Sequence, residues 1–288
     1  MLKKIYRKLL KILPTDIALY LIYYRGYKKK LNLKNPKTWG EKIQWLKING
    51  NLEELNDFVD KYEVRKYISS TIGKEYLNKL YGVYDSFEEI NWDKLPNQFV
   101  IKCTNGSGMV LIVKNKNDIN LKKIKQTINK WLRSKYYKEK KELQYKNVKN
   151  RIIIEKYLEN SSGSLNDYKF YCFNGKMKYY GIFYERYINK CIDFYNEKGE
   201  KMNGVNCCHI KNSPNVVILD NNMQKMIKLA EKLSIPFTEV RVDFYLADNK
   251  IIFGELTFTD GAGSDPWYPY SFDIEIAKNI PLKKVLKK

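Results

Sequence analysis

The sequence predicts an α+β chain in which antiparallel hairpins are flanked by helices. Three observations predict it. Residues 167–184 read DYKFYCF-NG-KMKYYGIFY, two β-rich runs over an Asn-Gly turn, the strongest short-range hairpin signal. Residues 239–258 hold two more apolar runs around the turn-like ADNK. Apolar residues recur at helical spacing in 41–48, 118–139 and 222–234. No internal repeat is visible.

Taken in order, residues 1–30 read as basic helix broken at Pro14. Leu2, Ile5, Leu9 and Ile12 share a helical face, with Lys3, Lys4, Arg7, Lys8 and Lys11 between them. Such a helix either lies on an anionic membrane face, giving residues 1–25 a peripheral contact, or packs on the body of the protein. Lysines interrupt its apolar run too often for a signal peptide. No segment reaches the ~20 apolar residues that span a bilayer. A cytoplasmic chain, soluble or peripheral on the inner face of the plasma membrane, is the expectation.

NPKTW (35–39) is a turn, Thr38 an N-cap, and EKIQWLKI (41–48) the helix it starts. Residues 52–70 read as another helix, and 76–84 lie between strand and loop. NQFVIKC (97–103) and MVLIV (109–113) are strands joined by TNGSG. Residues 118–139 are a basic helix with Ile124, Ile128, Trp131 and Leu132 inward. RIIIEKYLE (151–159) is a buried strand by its continuous apolar run, and SSGSLN (161–166) a loop.

With 288 residues and 44% hydrophobic content, the chain has room for two domains or one large one, and for a real core. The net charge of +21 is uneven: residues 1–50 hold 13 Lys/Arg against 2 acids, and residues 121–150 hold 11 against 2. These two stretches carry nearly the whole excess. They are either solvated lysine faces or the footprint of an acidic partner. Five cysteines without a CxxC spacing read as reduced thiols. The vicinal Cys207–Cys208 pair beside His209 makes a poor tetrahedral zinc set. With His209 the single histidine, a His-based triad is excluded as well. No recognition-helix, zinc-finger or RNP pattern supports specific nucleic-acid binding.

Three stretches carry chemistry. In FVIKCTNGSGMVLIV, Lys102 sits on a strand, with Gly106, Ser107 and Gly108 just after it; glycines let backbone N–H groups approach a phosphate. The Walker A pattern is absent, and an ordinary hairpin turn reads the same way. In RIIIEKYLEN a strand leaves a sheet and presents backbone to solvent or to a base. In VRVDFYLADNKIIFGELT, Arg241, Asp243 and Tyr245 share one strand face. Ile251, Phe253, Glu255 and Thr257 share a face of the next strand. A three-residue connection, Asp248-Asn249-Lys250, would set Asp243 opposite Glu255, with Asn249 left-handed. A two- or four-residue loop would split the acids between faces. Two adjacent carboxylates call for a cation, and Mg²⁺ takes one or two carboxylates plus phosphate oxygens.

Lysine strand, Gly-rich turn, E-K-x-L strand and D…E hairpin, in that order, resemble the ATP-grasp superfamily. NLKNPKTWGEKIQWLK (32–47), DKYEVRKYI (60–68) and ELTFTDGAG (255–263) are similar to its TupA-like branch, linked to teichuronopeptide and cell-surface polysaccharide synthesis. The resemblance spans roughly residues 30–275. It implies an ATP-grasp fold, two α+β subdomains clamping a nucleotide behind a basic helical N-terminal region. The expected division is 1–75, 76–150 and 151–288. It implies ATP and Mg²⁺. Lys102 would bind phosphates under a flap of Gly106, Ser107 and Gly108. Glu155 and the backbone of Lys156 and Leu158 would hold adenine. Asp167 would meet the ribose and Lys169 reach the phosphates. Asp243, Glu255 and Thr257 would ligate Mg²⁺, Thr257 standing where the superfamily usually has Asn. Arg241 would steady the γ-phosphate or acyl-phosphate.

The chemistry implied is carboxylate activation as an acyl-phosphate followed by attack of an amine or similar nucleophile, on an anionic glycopolymer or its precursor. Glycosyl transfer in the same pathway is the alternative, although no D-x-D is present. A non-enzymatic basic protein binding membrane or nucleic acid is the third reading. Trp267 and Tyr268 are expected near the site. Lys61 and Arg65, one helical turn apart, are weighed as acceptor-facing residues.

Overall fold

A computed structural model describes residues 2–160, 165–184, 191–207, 210–214 and 220–287. Cys208 and His209 of the weighed metal set, and residues 161–164 of the expected loop, lie outside the described residues.

Pro14 divides the basic N-terminal helix into α1 (Leu2–Ile12) and α2 (Thr15–Tyr27), which pack on each other through Leu10, Ala18, Leu19 and Ile22. α3 (Trp39–Asn49) starts where Thr38 predicts: its hydroxyl accepts from Glu41 N at 3.2 Å, and the Glu41 carboxylate accepts from Thr38 N at 3.0 Å. The helix expected over 52–70 is broken into α4 (Asn56–Val59) and α5 (Val64–Thr71). Asp60 breaks it, because its carboxylate takes the N–H groups of Tyr62 and Glu63 and holds the turn that leads into α5.

Four antiparallel strands follow: β1 (Leu80–Tyr84), β2 (Phe99–Cys103), β3 (Val110–Val113) and β4 (Ile152–Lys156). Their order is β1-β4-β2-β3. The helix expected over 118–139 is two, α6 (Leu121–Leu132) and α7 (Tyr137–Lys140). The Asn150 side chain donates to the carbonyls of Leu132 and Ser134, which ends α6 there. Phe99, Ile101, Cys103, Ile152 and Ile154 form one sheet face and bury Ile124 and Ile128 of α6. Lys102 and Glu155 point from the other. The strand after residue 150 thus belongs to this first sheet, and the chain reaches the second only at Asp167.

The second sheet has the order β10-β9-β5-β6-β7. β5 (Asp167–Phe173) and β6 (Lys176–Tyr184) turn through left-handed Asn174 and Gly175, as the Asn-Gly pair predicts. β7 (Cys191–Asn196) is the far edge; a short β8 (Asn206–Cys207) lies outside this sheet. α8 (Asn221–Ser234) covers the face carrying Phe170, Val242 and Phe244 with Met226, Ala230 and Leu233. β9 (Glu239–Ala247) and β10 (Lys250–Thr257) form the acidic hairpin. β11 (Trp267–Tyr268) pairs with β8, and α9 (Tyr270–Ala277) follows. Trp267 packs edge-on to Tyr171 and Trp39, covering part of the open face.

The β9–β10 turn corrects one expectation and keeps its consequence. The loop has two residues, Asp248 and Asn249, both left-handed, with Lys250 paired to Ala247. Continued regularly, that register would put the acids on opposite faces. A bulge at Gly254 shifts it by one, and Glu255 pairs with Asp243. Ile251 and Phe253 therefore do not share the face of Glu255 and Thr257. Phe253 pairs with Phe244 on the α8 side, their rings 6.3 Å apart.

Candidate active site

The second sheet gathers its polar residues by register. Lys169 pairs with Asp243, Tyr171 with Arg241, and Asp167 with Tyr245 across β5–β9, while Glu255 and Thr257 pair with Asp243 and Arg241 across β9–β10. Paired residues share a face. Asp167, Lys169, Arg241, Asp243, Glu255 and Thr257 therefore stand on one side, opposite α8.

Arg241 is the hub. Its Nε and Nη2 meet the two Asp243 oxygens at 2.7 and 2.8 Å, and Nη2 also reaches Glu255 at 3.0 Å and Thr257 Oγ1 at 3.1 Å. Nη1 binds Asp260, and Lys169 Nζ binds Asp243. Burial works against the Arg241 charge, but Asp243 and Asp260 outweigh it and hold the guanidinium protonated. Burial alone would raise the Asp243 carboxyl; Arg241 and Lys169 overcome it and keep the carboxyl below its ordinary value. Burial raises the Glu239 carboxyl well above its ordinary value, with Asp260 adding to the effect.

The first sheet contributes Lys102, whose Nζ lies 2.7 Å from Glu155 Oε2, while Arg65 holds Glu155 Oε1 at 3.2 Å. Glu155 is committed to two cations. The Lys156 N–H is used by the Lys79 carbonyl, and the Lys156 carbonyl takes the Asn78 amide, each at 2.9 Å. A base at this hinge would therefore find one Lys156 lone pair and the backbone of Tyr157 and Leu158, past the last ladder pair of β4. A cavity of about 640 Å³ lies there, walled by Lys156, Leu158 and Glu159 on one side and Ala247, Asp248 and Ile252 on the other. Its volume is that of a small-molecule site. Glu155 and Lys102 are outside its wall.

The Gly-rich turn is pinned at one end. Gly106 is buried with φ 103°, and a Cβ there would come within 2.4 Å of the Tyr136 ring. Its carbonyl accepts from Lys61 Nζ at 2.6 Å. Ser107 and Gly108 are exposed, and a Cβ on Gly108 would meet nothing.

A family model described as "TupA-like ATPgrasp" matches residues 41–281. The chain belongs to the TupA-like ATP-grasp family. Membership brings the ATP-grasp fold. Among solved structures, the ATP complex of D-alanine–D-alanine ligase from Bacillus anthracis is 17% identical, covering 81% of this chain and 67% of its own, TM-score 0.46. Phosphoribosylamine–glycine ligase from Thermotoga maritima is 13% identical, with 82% and 58% covered and TM-score 0.44. L-amino acid ligase from Bacillus licheniformis is 15% identical, with 72% and 42% covered and TM-score 0.41. No curated protein matches the sequence.

The donor set of this TupA-like chain fits an ion that arrives with phosphates. Among the described residues no three His, Cys, Asp or Glu side chains form a metal cage. Asp243 and Glu255 alone, with Thr257, would leave most positions of a Mg²⁺ ion to phosphate oxygens and water. Four carboxylates (Asp167, Asp243, Glu255, Asp260) face Arg241 and Lys169, so the acids outnumber the cations and leave capacity for one more.

Asp260 escapes the sequence reading, and Lys61 enters it only as an acceptor-facing residue. Asp260 reads as part of a Gly-rich turn, but pairs with Arg241 and accepts from Tyr171 at 3.2 Å. Lys61 precedes α5, so it shares no helix face with Arg65. Burial pulls its ammonium below the ordinary value; Glu255 opposes this and Lys102 adds to it. Lys61 is thus within electrostatic reach of Glu255 and Lys102. The signal that could have found it is the Asp-Lys pair at 60–61. Trp267 is buried in the core and packs edge-on against Tyr171.

Proposed function

We propose that this chain is an ATP- and Mg²⁺-dependent ligase that activates a carboxylate and joins it to an amine or similar nucleophile on an anionic cell-surface glycopolymer or its precursor. The observation that carries the reading is the register that sets Asp167, Lys169, Arg241, Asp243, Glu255 and Thr257 on one sheet face. Lys102 and Lys169 offer charge to phosphate oxygens, and Ser107 and Gly108 are free to close over them. Asp243 and Glu255 would hold Mg²⁺, which supplies charge neutralisation between phosphates. A substrate carboxylate oxygen attacks the γ-phosphorus, and ADP leaves. The nucleophile then adds to the acyl carbon, loses its proton to solvent, and expels phosphate. Arg241 faces the charge that develops on the transferred group. No side chain becomes covalently attached, which suits a chain with one histidine.

The glycopolymer half of the proposal rests on charge. Lys122, Lys123, Lys125 and Lys130 of α6 are exposed, and a basic face suits uronate- or phosphate-bearing polymers. The test is ADP release with Mg²⁺·ATP across a panel of amino acids and uronic-acid oligomers. Acid-dependent ADP release with an amide product is expected. Turnover of UDP-sugars in place of ATP would overturn the ligase reading in favour of glycosyl transfer.

A further inference from the structure

The N-terminal helices play no part in the chemistry above, yet they carry the oddest surface of the molecule. Ile5, Leu9 and Ile12 of α1 are 55%, 41% and 80% exposed. They recur at helical spacing and form a ridge beside the residues that turn inward, Tyr6, Leu10 and Leu13. On α2, Ile17, Tyr20 and Tyr24 are also exposed. Nearly half of the large exposed apolar side chains of the described residues thus fall within the first 24 positions. Exposed cations accompany them: Arg7 and Lys8 on α1, Arg25 on α2 and Lys28 just after it. Asp16 is the one acid in residues 1–40.

We propose that the α1 ridge seats the protein on an anionic phospholipid surface. The ridge is aliphatic and runs along a single helix face, which suits insertion at the level of the lipid headgroups. Its basic flank supplies charge complementarity to acidic headgroups. Aliphatic side chains at the centre of the patch give nucleic-acid phosphates nothing to bind. The inner core of Leu10, Ala18, Leu19 and Ile22 fixes the helix pair to itself, so the ridge is not needed to hold α1 in place. Two signals together, apolar insertion and basic attraction, are what stable peripheral binding takes. No helix among the described residues is long and apolar enough to cross the membrane, so contact through this ridge would be peripheral.

The test is co-sedimentation of the full chain with vesicles of phosphatidylcholine alone or with one-third phosphatidylglycerol. Wild type should pellet with the anionic vesicles and stay in solution with the neutral ones. Ile5→Ser/Ile12→Ser should abolish pelleting. Arg7→Gln/Lys8→Gln should lower the partition coefficient roughly 30-fold, about fivefold per charge. Each variant should keep the wild-type unfolding temperature and its response to Mg²⁺·ATP, because these side chains are exposed and remote from the site. A wild type that ignores anionic vesicles, binds neutral ones equally, or binds undiminished in the Ile5→Ser/Ile12→Ser variant overturns the proposal.

Discussion

Asp243 and Glu255 face the same guanidinium, but they differ in how deeply they sit. The Asp243 side chain is 5% exposed and pairs with both Arg241 and Lys169; that of Glu255 is 49% exposed and has a single Arg241 contact at 3.0 Å. Asp243→Asn leaves buried cations undercompensated and should cost about 3–5 kcal/mol in chemical denaturation. Glu255→Gln removes an exposed partner and should cost about 0–1 kcal/mol. Both should lower ADP release at least ~100-fold, a loss worth more than ~2.7 kcal/mol of transition-state stabilisation. Equal destabilisation by the two changes would contradict this ranking. The acids themselves were legible, since two carboxylates within apolar strands of a basic chain demand partners. Their guarantor Asp260 was not, because a single acid before Gly-Ala-Gly reads as turn chemistry.

The β9–β10 hairpin shows where local pattern stops informing. The turn residues announce a hairpin, and Asn249 takes the left-handed conformation expected of it. The register depends on one extra residue at Gly254, and a glycine in a strand does not say whether it bulges. A Cβ there would lie 3.0 Å from the Asp243 carbonyl and 3.2 Å from the Tyr245 ring. Gly254→Val should therefore cost about 1–3 kcal/mol and weaken Mg²⁺·ATP binding. Deleting Gly254 should leave Glu255 opposite Asp243 in a regular ladder, so the acid pair and Mg²⁺·ATP binding should survive in a chain that still unfolds cooperatively. Loss of Mg²⁺·ATP binding in a folded deletion variant would refute the register described for this hairpin. The helix at 52–70 failed for a similar reason: its apolar spacing runs on through Asp60, whose capping is a side-chain event.

A second element-scale case is Lys47 on α3. It is buried and donates to the carbonyls of Lys140, at 2.9 Å, and Ala262, at 2.7 Å, tying the end of α7 and the 260–263 turn to one helix. Burial lowers its ammonium to about 7. The unfolded chain, with lysine near ~10.4, binds more protons between these values, so this group's contribution makes stability rise with pH from about 7 to about 10. Below about 7 the penalty is complete and constant. Urea midpoints measured at pH 7 and pH 9.5 should therefore rise more for wild type than for Lys47→Met. Parallel pH profiles would show that Lys47 is not held as described.

At the scale of the whole molecule, the α+β class was readable from hairpin and helix signals; the two-subdomain plan came only with the family resemblance, and strand order with neither. The insertion of β4 between β1 and β2 is a long-range pairing, and alternation within a strand carries no information about its neighbours. The same limit hid the contacts of Lys61, which joins the helical region to the Gly106 carbonyl and is within electrostatic reach of Glu255 in the other sheet. Lys61→Met should raise the KM for ATP roughly tenfold, or about 1.4 kcal/mol, and expose the 104–108 turn to limited proteolysis. An unchanged KM with an intact turn would remove Lys61 from the clamp.

The most direct test of a Mg²⁺·nucleotide pocket between the two sheets is thermal unfolding of wild type and Glu255→Gln, with and without Mg²⁺·ATP. At 100 times Kd the ligand should stabilise wild type by about 2.7 kcal/mol. Glu255→Gln, equally stable alone, should show little of that gain, and wild type should lose it when Mg²⁺ is chelated. A wild type that does not respond to Mg²⁺·ATP, or a variant that responds just as strongly, would contradict the account.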